Sequence, residues 1–343
     1  MTSVSMPSKT LSIDAIRVVR PEHKLVLVEE HDSVHCSSFN AHILKKMMGI
    51  ESVNVLPPET SPDDILLPLA SRGLLDIRTE QPNEYLKLNH AHTELRSANT
   101  GARRTRFGLS LDRRLARIHN LTPLGSGNAN RCVSLFKQLD LLLRSQSQHQ
   151  VAIHNGELAF SKEMRITRGL SVQGDSSTSL LLTQTDNPKI RVSSVHMHYD
   201  RRFARGIWGE VAETKAYEDS YRSNMHEVIH CALEKASISL EQVNDILPHN
   251  INIKSWRFLC QSLDVAEEKL FVRNIQTEGH CFCNDMVINL SDAIEQRRLD
   301  GANPSASTPL RFLAVAAGAG GMFGACVLEV VQLEGFLNER QTI

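Results

Sequence analysis

Asn244–Lys254 reads NDILPHNINIK. Asp245, Ile246 and Leu247 predict a short buried strand that stops at Pro248. Proline fixes its own φ and pushes the residue before it into extended geometry, so His249 leaves the strand end on a defined turn. Asn252 stands three residues after the histidine, and Lys254 follows it. A histidine held at a strand end beside an asparagine is a candidate catalytic pair. Taken alone, H-x-x-N is a weak signal and a loop histidine without a catalytic role is the safer reading, so the decision rests on the partners the chain supplies.

Downstream, the spacing of Trp256, Phe258 and Leu259 predicts a helix over 254–263. Glu278-Gly279-His280-Cys281 precedes a second helix, over 284–297, with Met286, Val287, Leu290 and Ala293 as its apolar positions. A second histidine therefore stands at a helix start after a glycine. Cys281-x-Cys283 has no matching pair at zinc-site spacing and makes a poor metal site. Residues 311–316 predict a buried strand that enters the turn Gly318-Ala-Gly-Gly321, with another strand over 323–330. Such a turn lets backbone N–H groups approach a ligand, and it is no Walker loop, since no Gly-Lys-Ser/Thr follows.

Upstream, Tyr221, Met225, Val228, Ile229, Ala232 and Leu233 mark a helix over 220–236. Strands are expected over 189–195, over 180–183 after the Gly174 turn, and over 151–153. Leu135, Phe136, Leu139, Leu142 and Leu143 recur at helical spacing after the small-residue run Pro123–Asn130, so Cys132 opens an amphipathic helix. Unpaired N–H groups and the helix dipole favour an anion at that end and offer an amide donor to an oxyanion. The plainer alternative is a small apolar residue packed at a helix start. Nearer the N-terminus, residues 11–19, 24–28 and 84–88 predict strands. Residues 39–48 and 64–72 predict helices, and the proline-rich run from Val53 to Asp63 reads as a loop. Alternation of strands and helices indicates an α/β fold.

Composition narrows the class. Across 343 residues, 38 Lys and Arg nearly balance 39 Asp and Glu, so no global field argues for nucleic acid or a membrane surface. The basic runs Arg103–Arg106 and Arg113-Arg114 lack the alternating aromatics of a nucleic-acid site. Seven cysteines are odd in number and follow no framework spacing, which fits reduced thiols in the cytoplasm. No window reaches the roughly 20 apolar residues of a membrane span, and the start lacks the apolar core of a signal peptide. His90 and His92, like His196 and His198, sit at i and i+2 without a third ligand at suitable spacing.

The ordered set is a cysteine at a helix start, a Gly-Asp turn before a strand, PHxxN, GH before a helix and a closing GxGG hairpin. Over residues 85–331 this set resembles the ketoacyl-ACP synthase III branch of the thiolase-fold condensing enzymes. Three stretches carry the likeness: LPHNINIKS (Leu247–Ser255), EGHCFCNDMVINLSDAIEQRRL (Glu278–Leu299) and AVAAGAGGMFGACVLEV (Ala314–Val330). The resemblance implies a thiolase fold, two similar βαβαβαββ halves in a five-layered αβαβα arrangement, with residues 1–186 and 187–343 as the halves. It places Cys132 on the acylated nucleophile and His249 on the first catalytic histidine. His280 falls where this branch carries asparagine. Asn252 matches the asparagine of the family's PHQAN stretch, and Lys254 the basic residue near the carrier's phosphopantetheine. Gly320 falls near the glycine whose amide, with that of Cys132, forms the oxyanion hole. The flanks depart from the pattern: Arg131, Val133 and Ser134 replace small residues and glycine around the nucleophile. Cys281, Phe282 and Cys283 likewise replace hydroxyl or alanine residues. The chain therefore resembles members recruited to specialised metabolism.

The implied substrate is an acyl-CoA or acyl-carrier-protein thioester, with no metal and no separate cofactor. The implied assembly is a homodimer, or a heterodimer with a paralogue. The implied reaction acylates Cys132 and passes the acyl group to a malonyl-type carbanion, with His249 and His280 as neutral donors to the enolate. Two alternatives stay open: transfer to an amine or alcohol with His249 as general base, and a non-catalytic partner subunit.

Overall fold

The closing glycine-rich hairpin forms as two strands, Leu310–Gly318 and Met322–Val330, whose residues alternate between two hydrophobic cores. Phe312, Ala314 and Ala316 enter one core, while Leu313, Val315 and Ala317 enter the other. Cys326, Leu328 and Val330 alternate in the same way with Phe323, Ala325 and Val327. A strand covered on both faces reads as a continuous apolar run, as 312–317 does.

The computed structural model describes residues 9–56, 85–92, 122–123, 131–144, 151–159, 165–167, 170–206 and 209–342. The first elements are β1 (Thr10–Arg20), β2 (Lys24–Val26), α1 (Ser38–Ile43), β3 (Ser52–Asn54), β4 (Tyr85–His92) and β5 (Thr122–Pro123). Then come α2 (Arg131–Arg144), β6 (Val151–Leu158), β7 (Ile166–Thr167), β8 (Ser171–Val172) and β9 (Ser176–Thr185). Next are β10 (Ile190–Tyr199), α3 (Val211–Ala236), β11 (Asp245–Pro248), α4 (Ile253–Ser262), α5 (Arg273–Thr277) and α6 (Asn284–Leu299). β12 (Leu310–Gly318), β13 (Met322–Val330) and β14 (Leu337–Thr342) complete the chain. The helix expected over 64–72 and residues 124–130 of the approach to Cys132 lie outside the described residues.

The strands pair in the order β5-β4-β6-β9-β1-β10-β13-β12-β11. On one side β4 and β6 are parallel, then β6–β9 and β9–β1 are antiparallel. On the other β11 and β12 are parallel, then β12–β13 and β13–β10 are antiparallel. The same series thus occurs twice, meeting where Ser12 and Ile13 of β1 pair with Arg191 and Ile190 of β10. The pairing of β1 with β9 shifts register after Ile13, and from Ala15 onward β1 pairs with β14 as well as β9, and no longer with β10.

One core joins Leu135, Phe136 and Leu139 of α2 with Met286, Val287 and Leu290 of α6 and with strand residues from both sides of that junction. The other packs α3 and α4 on the opposite face of β11–β13. Every residue of α6 from Asn284 to Ser291 is buried, polar ones included. Buried polar groups require partners, and Asn284, Asp285, Asn289 and Ser291 each have hydrogen-bond partners within the fold.

Several elements differ from expectation for identifiable reasons. α1 ends at Ile43 and continues as a π-helical turn through Met48, closed by Gly49 at φ +74°. A Cβ at Gly49 would lie 2.4 Å from Ile253, so the turn closes directly on α4. β3 occupies the start of the run read as a loop. α3 starts at Val211, nine residues before the predicted start, on a capping box between Glu210 and Glu213. Its first turns are largely exposed and so lack apolar periodicity. β14, mostly polar, is strand through its pairing with β1.

Candidate active site

Cys132 is the second residue of α2 and half-buried. The helix can approach β13 because residue 324 is glycine. A Cβ there would lie 2.6 Å from the Phe136 ring and 2.8 Å from Val133.

His280 is held by a fit between two turns that sequence reading treats separately. A Cβ on Gly174 would lie 2.1 Å from the Glu278 carbonyl oxygen, and Gly279 adopts φ +73° against the Val172 carbonyl. In that space the His280 N–H donates to Val172 O at 2.8 Å, and the Gly174 N–H donates to His280 O at 3.2 Å. The ring then spans two partners. Nε2 lies 3.5 Å from Cys132 Sγ, and Nδ1 lies 2.6 Å from Asp285 Oδ2.

Asp285 is 0% exposed in the first turn of α6. Its Oδ1 accepts the Cys281 N–H at 2.6 Å, and its Oδ2 accepts the Asn250 N–H at 2.7 Å. A carboxylate so placed only accepts, so Nδ1 of His280 carries a proton toward it and Nε2 faces the thiol. Burial opposes a charge on His280, but Asp285, with Cys132 next, outweighs it and the ring is pushed up to about 10.

His249 leaves β11 as the proline predicts. Its N–H donates to Val315 O at 3.0 Å, and its Nδ1 accepts the Ala317 N–H at 3.2 Å. The neutral ring therefore carries its proton on Nε2. Trp256 stands edge-on to the ring at 5.0 Å and donates from Nε1 to the His249 carbonyl at 2.8 Å. The His249 and His280 ring centroids are 5.5 Å apart. Burial, and then neighbouring His280, hold His249 well below the usual histidine range.

The structure brings Cys132, His280 and His249 together, whereas the other candidate residues stand further along their elements. Asn252 caps α4, its Oδ1 accepting the Ser255 N–H at 2.8 Å and its Nδ2 donating to Leu170 O at 3.1 Å. Both ends of that amide are engaged within the fold. Lys254 is exposed on the first turn of α4. Gly320 is half-buried in the β12–β13 turn, three residues beyond Ala317. That turn is fastened by the Tyr217 hydroxyl donating to Gly318 O at 3.3 Å and by the Asp200 N–H donating to Gly321 O at 2.8 Å. Cys281 and Cys283 are buried, the latter donating to Glu157 at 3.2 Å. Among the described residues no group of three or more His, Cys, Asp and Glu is placed to hold a metal ion.

Asp285 escapes sequence reading, because an acid in a helix's first turn is ordinarily read as a partner of the dipole. The available signal was its position, five residues after a histidine at the same helix start.

A half-buried cysteine at the start of α2 thus faces a histidine just before the start of α6. The family model for the C-terminal part of 3-oxoacyl-[acyl-carrier-protein] synthase III matches residues 233–330. The beta-ketoacyl-[acyl-carrier-protein] synthase III of Aquifex aeolicus (strain VF5) is 34% identical over 76 residues, 22% of this chain and 24% of that protein. Among solved structures, ChlB3, described as an acyltransferase, superposes with a TM-score of 0.75 at 14% identity, covering 95% of this chain and 99% of its own. The Aquifex aeolicus synthase III gives 0.68 at 16%, covering 93% and 99%. OleA of Xanthomonas campestris, solved with lauric acid and lauroyl-CoA, gives 0.68 at 12%, covering 94% and 100%. The chain shares the thiolase fold of these synthase III structures, and its residues 233–330 are similar to the C-terminal part of that synthase. No helix among the described residues is long and apolar enough to cross a membrane.

Proposed function

We propose that the protein is an acyltransferase that loads an acyl group from a thioester onto Cys132 and passes it to an amine or alcohol. The observation that carries this reading is the 2.6 Å contact between His280 Nδ1 and buried Asp285. A carboxylate behind the ring makes His280 a base that can move protons at Nε2, where a condensing enzyme would hold a neutral donor.

The steps balance as follows. The Cys132 thiolate attacks the donor carbonyl carbon, the carbon–sulfur bond to the donor thiol breaks, and His280 Nε2–H protonates the departing thiolate. With Cys132 acylated, His280 loses one of the two negative neighbours that raised it and becomes a neutral base. It then takes the proton of the acceptor O–H or N–H as that atom attacks the Cys132 thioester, and the Cys132 thiolate departs. Backbone amides of Cys132 and Gly320 are assigned to the oxyanion. His249, neutral with its proton on Nε2, serves as a fixed donor beside the reacting carbonyl.

The donor is assigned to acyl-CoA or an acyl carrier protein, since the synthase III relative is named for the carrier. Lys254 is assigned to the donor's phosphate, and Asn252 to fixing the turn beside it. No cofactor enters the scheme. The site is taken to work in a dimer, of this chain or with a paralogue. The name of ChlB3 agrees with acyl transfer.

Decarboxylative condensation is the second reading, favoured by the neutral Nε2–H of His249, which suits an enolate. Intact-mass measurement after incubation with acyl-CoA tests the shared step: one acyl adduct is expected, absent in Cys132→Ala. Discharge of that adduct by amines or alcohols supports transfer. Discharge only by a malonyl thioester, with release of carbon dioxide, overturns it.

A further inference from the structure

Asn289 lies one helical turn after Asp285 on α6 and is 0% exposed. Its Nδ2 donates to Pro248 O at 2.6 Å and to Asn250 Oδ1 at 2.9 Å, and its Oδ1 accepts from Asn274 Nδ2 at 2.9 Å. The two groups it grips are the residues on either side of His249. The second of them, Asn250, donates its backbone N–H to Asp285 Oδ2 at 2.7 Å, the oxygen that also meets His280. One face of α6 thus presents, at i and i+4, the carboxylate behind one histidine and the amide that fixes the turn of the other.

We propose that Asn289 is a positioning residue that sets the registry of His249 and His280 together, by clamping the 248–250 turn against the helix that carries Asp285. The inference rests on the Cys132–His280–Asp285 reading. Without the clamp, the hydrogen bond that still ties the 248–250 turn to α6 among the described residues is that of the Asn250 N–H to Asp285, and a shift there moves His249 and loosens the acceptor of His280 in one motion. Asn274 extends the same network away from the site, with Nδ2 also donating to Asp292 at 2.9 Å. It touches neither the turn nor Asp285 in that network. A merely structural role predicts that losing Asn274 or Asn289 has the same consequences. A positioning role predicts that only Asn289 alters the proton behaviour of the site.

The test compares Asn289→Leu, Asn250→Ala and Asn274→Leu in the full chain. The readouts are thermal melting, the pH–rate profile of Cys132 alkylation by iodoacetamide followed by peptide mass mapping, and single-turnover discharge of a preloaded acyl-enzyme. Asn289→Leu is expected to displace the midpoint of the alkylation profile upward and to slow discharge roughly 10- to 100-fold, as small misplacements of reacting groups do. Asn250→Ala, which removes one of the two clamp acceptors and keeps the N–H to Asp285, is expected to shift both in the same direction by less. It decides the question if Asn289→Leu does not fold. Asn274→Leu is expected to lower the melting temperature with an unchanged profile. A folded Asn289→Leu with wild-type profile and discharge, or an Asn274→Leu that shifts the profile equally, overturns the proposal. Asp285→Asn separates the two levels. If it too leaves the profile unchanged, the three-residue reading has failed. If it shifts the profile while the clamp variants do not, only the role of Asn289 has failed.

Discussion

His249 and His280, 5.5 Å apart, respond to pH with opposite sign. His280 is raised above its unfolded value of about 6.5, so the native state holds the extra proton between that value and about 10. Its stabilisation is complete below about pH 6.5 and is lost as pH rises toward 10. His249 is depressed, so the unfolded chain binds the extra proton, and stability is lost as pH falls below about 6.5. Urea titrations across pH 5 to 10 are expected to show the two trends separately. His280→Asn is expected to flatten the alkaline fall, and His249→Gln the acid one. At this scale sequence reading singled out Cys132, His249 and His280 by their placement at strand and helix ends, but only the family resemblance joined them into one candidate site. It did not find Asp285, because burial and a specific acceptor geometry, which turn an ordinary helix-start acid into a histidine's partner, leave no local pattern.

At the scale of elements, two turns decide where His280 stands. Gly174→Ala places a methyl group 2.1 Å from the Glu278 carbonyl and forces the 278–281 segment to move. A loss of about 1–3 kcal/mol is expected from such overpacking, and the displaced ring should slow Cys132 acylation disproportionately to the stability lost. Intact-mass kinetics beside thermal melting checks both. The elements themselves were largely legible. The apolar run of 312–317 gave β12, and the five-residue apolar stripe after Cys132 gave α2. The stretch NDILPH gave β11 and its stop at proline. What was illegible depended on contacts across the chain. The start of α3 is too largely exposed to show an apolar period, and polar β14 becomes a strand only beside β1.

For the whole molecule, the strand series on the two sides of the β1–β10 junction repeats although no repeat is visible in the residues. Pairing direction is set by connection and twist, and many sequences satisfy the same buried pattern. A division into halves at residues 186 and 187, between β9 and β10, is proposed on that basis. The wall near the site is fastened by Asp175, which accepts hydrogen bonds from Nη1 and Nη2 of Arg165, at 3.1 and 2.6 Å, and from the backbone N–H groups of Leu56 and Ala159 at 2.8 Å each. Breaking one partner of a buried pair strands the other, so Asp175→Asn is expected to cost about 3 kcal/mol, read from chemical unfolding.

The central claim is that a carboxylate-backed His280 discharges an acyl group from Cys132 onto a protic acceptor. Its most direct measurement is the single-turnover discharge of preloaded acyl-enzyme to an amine or alcohol, in wild type and in Asp285→Asn. The expected result is a carried acyl group on both proteins and discharge slowed at least about 100-fold in the variant, in keeping with the loss of a histidine's orienting carboxylate. Equal discharge rates from the two proteins would contradict it.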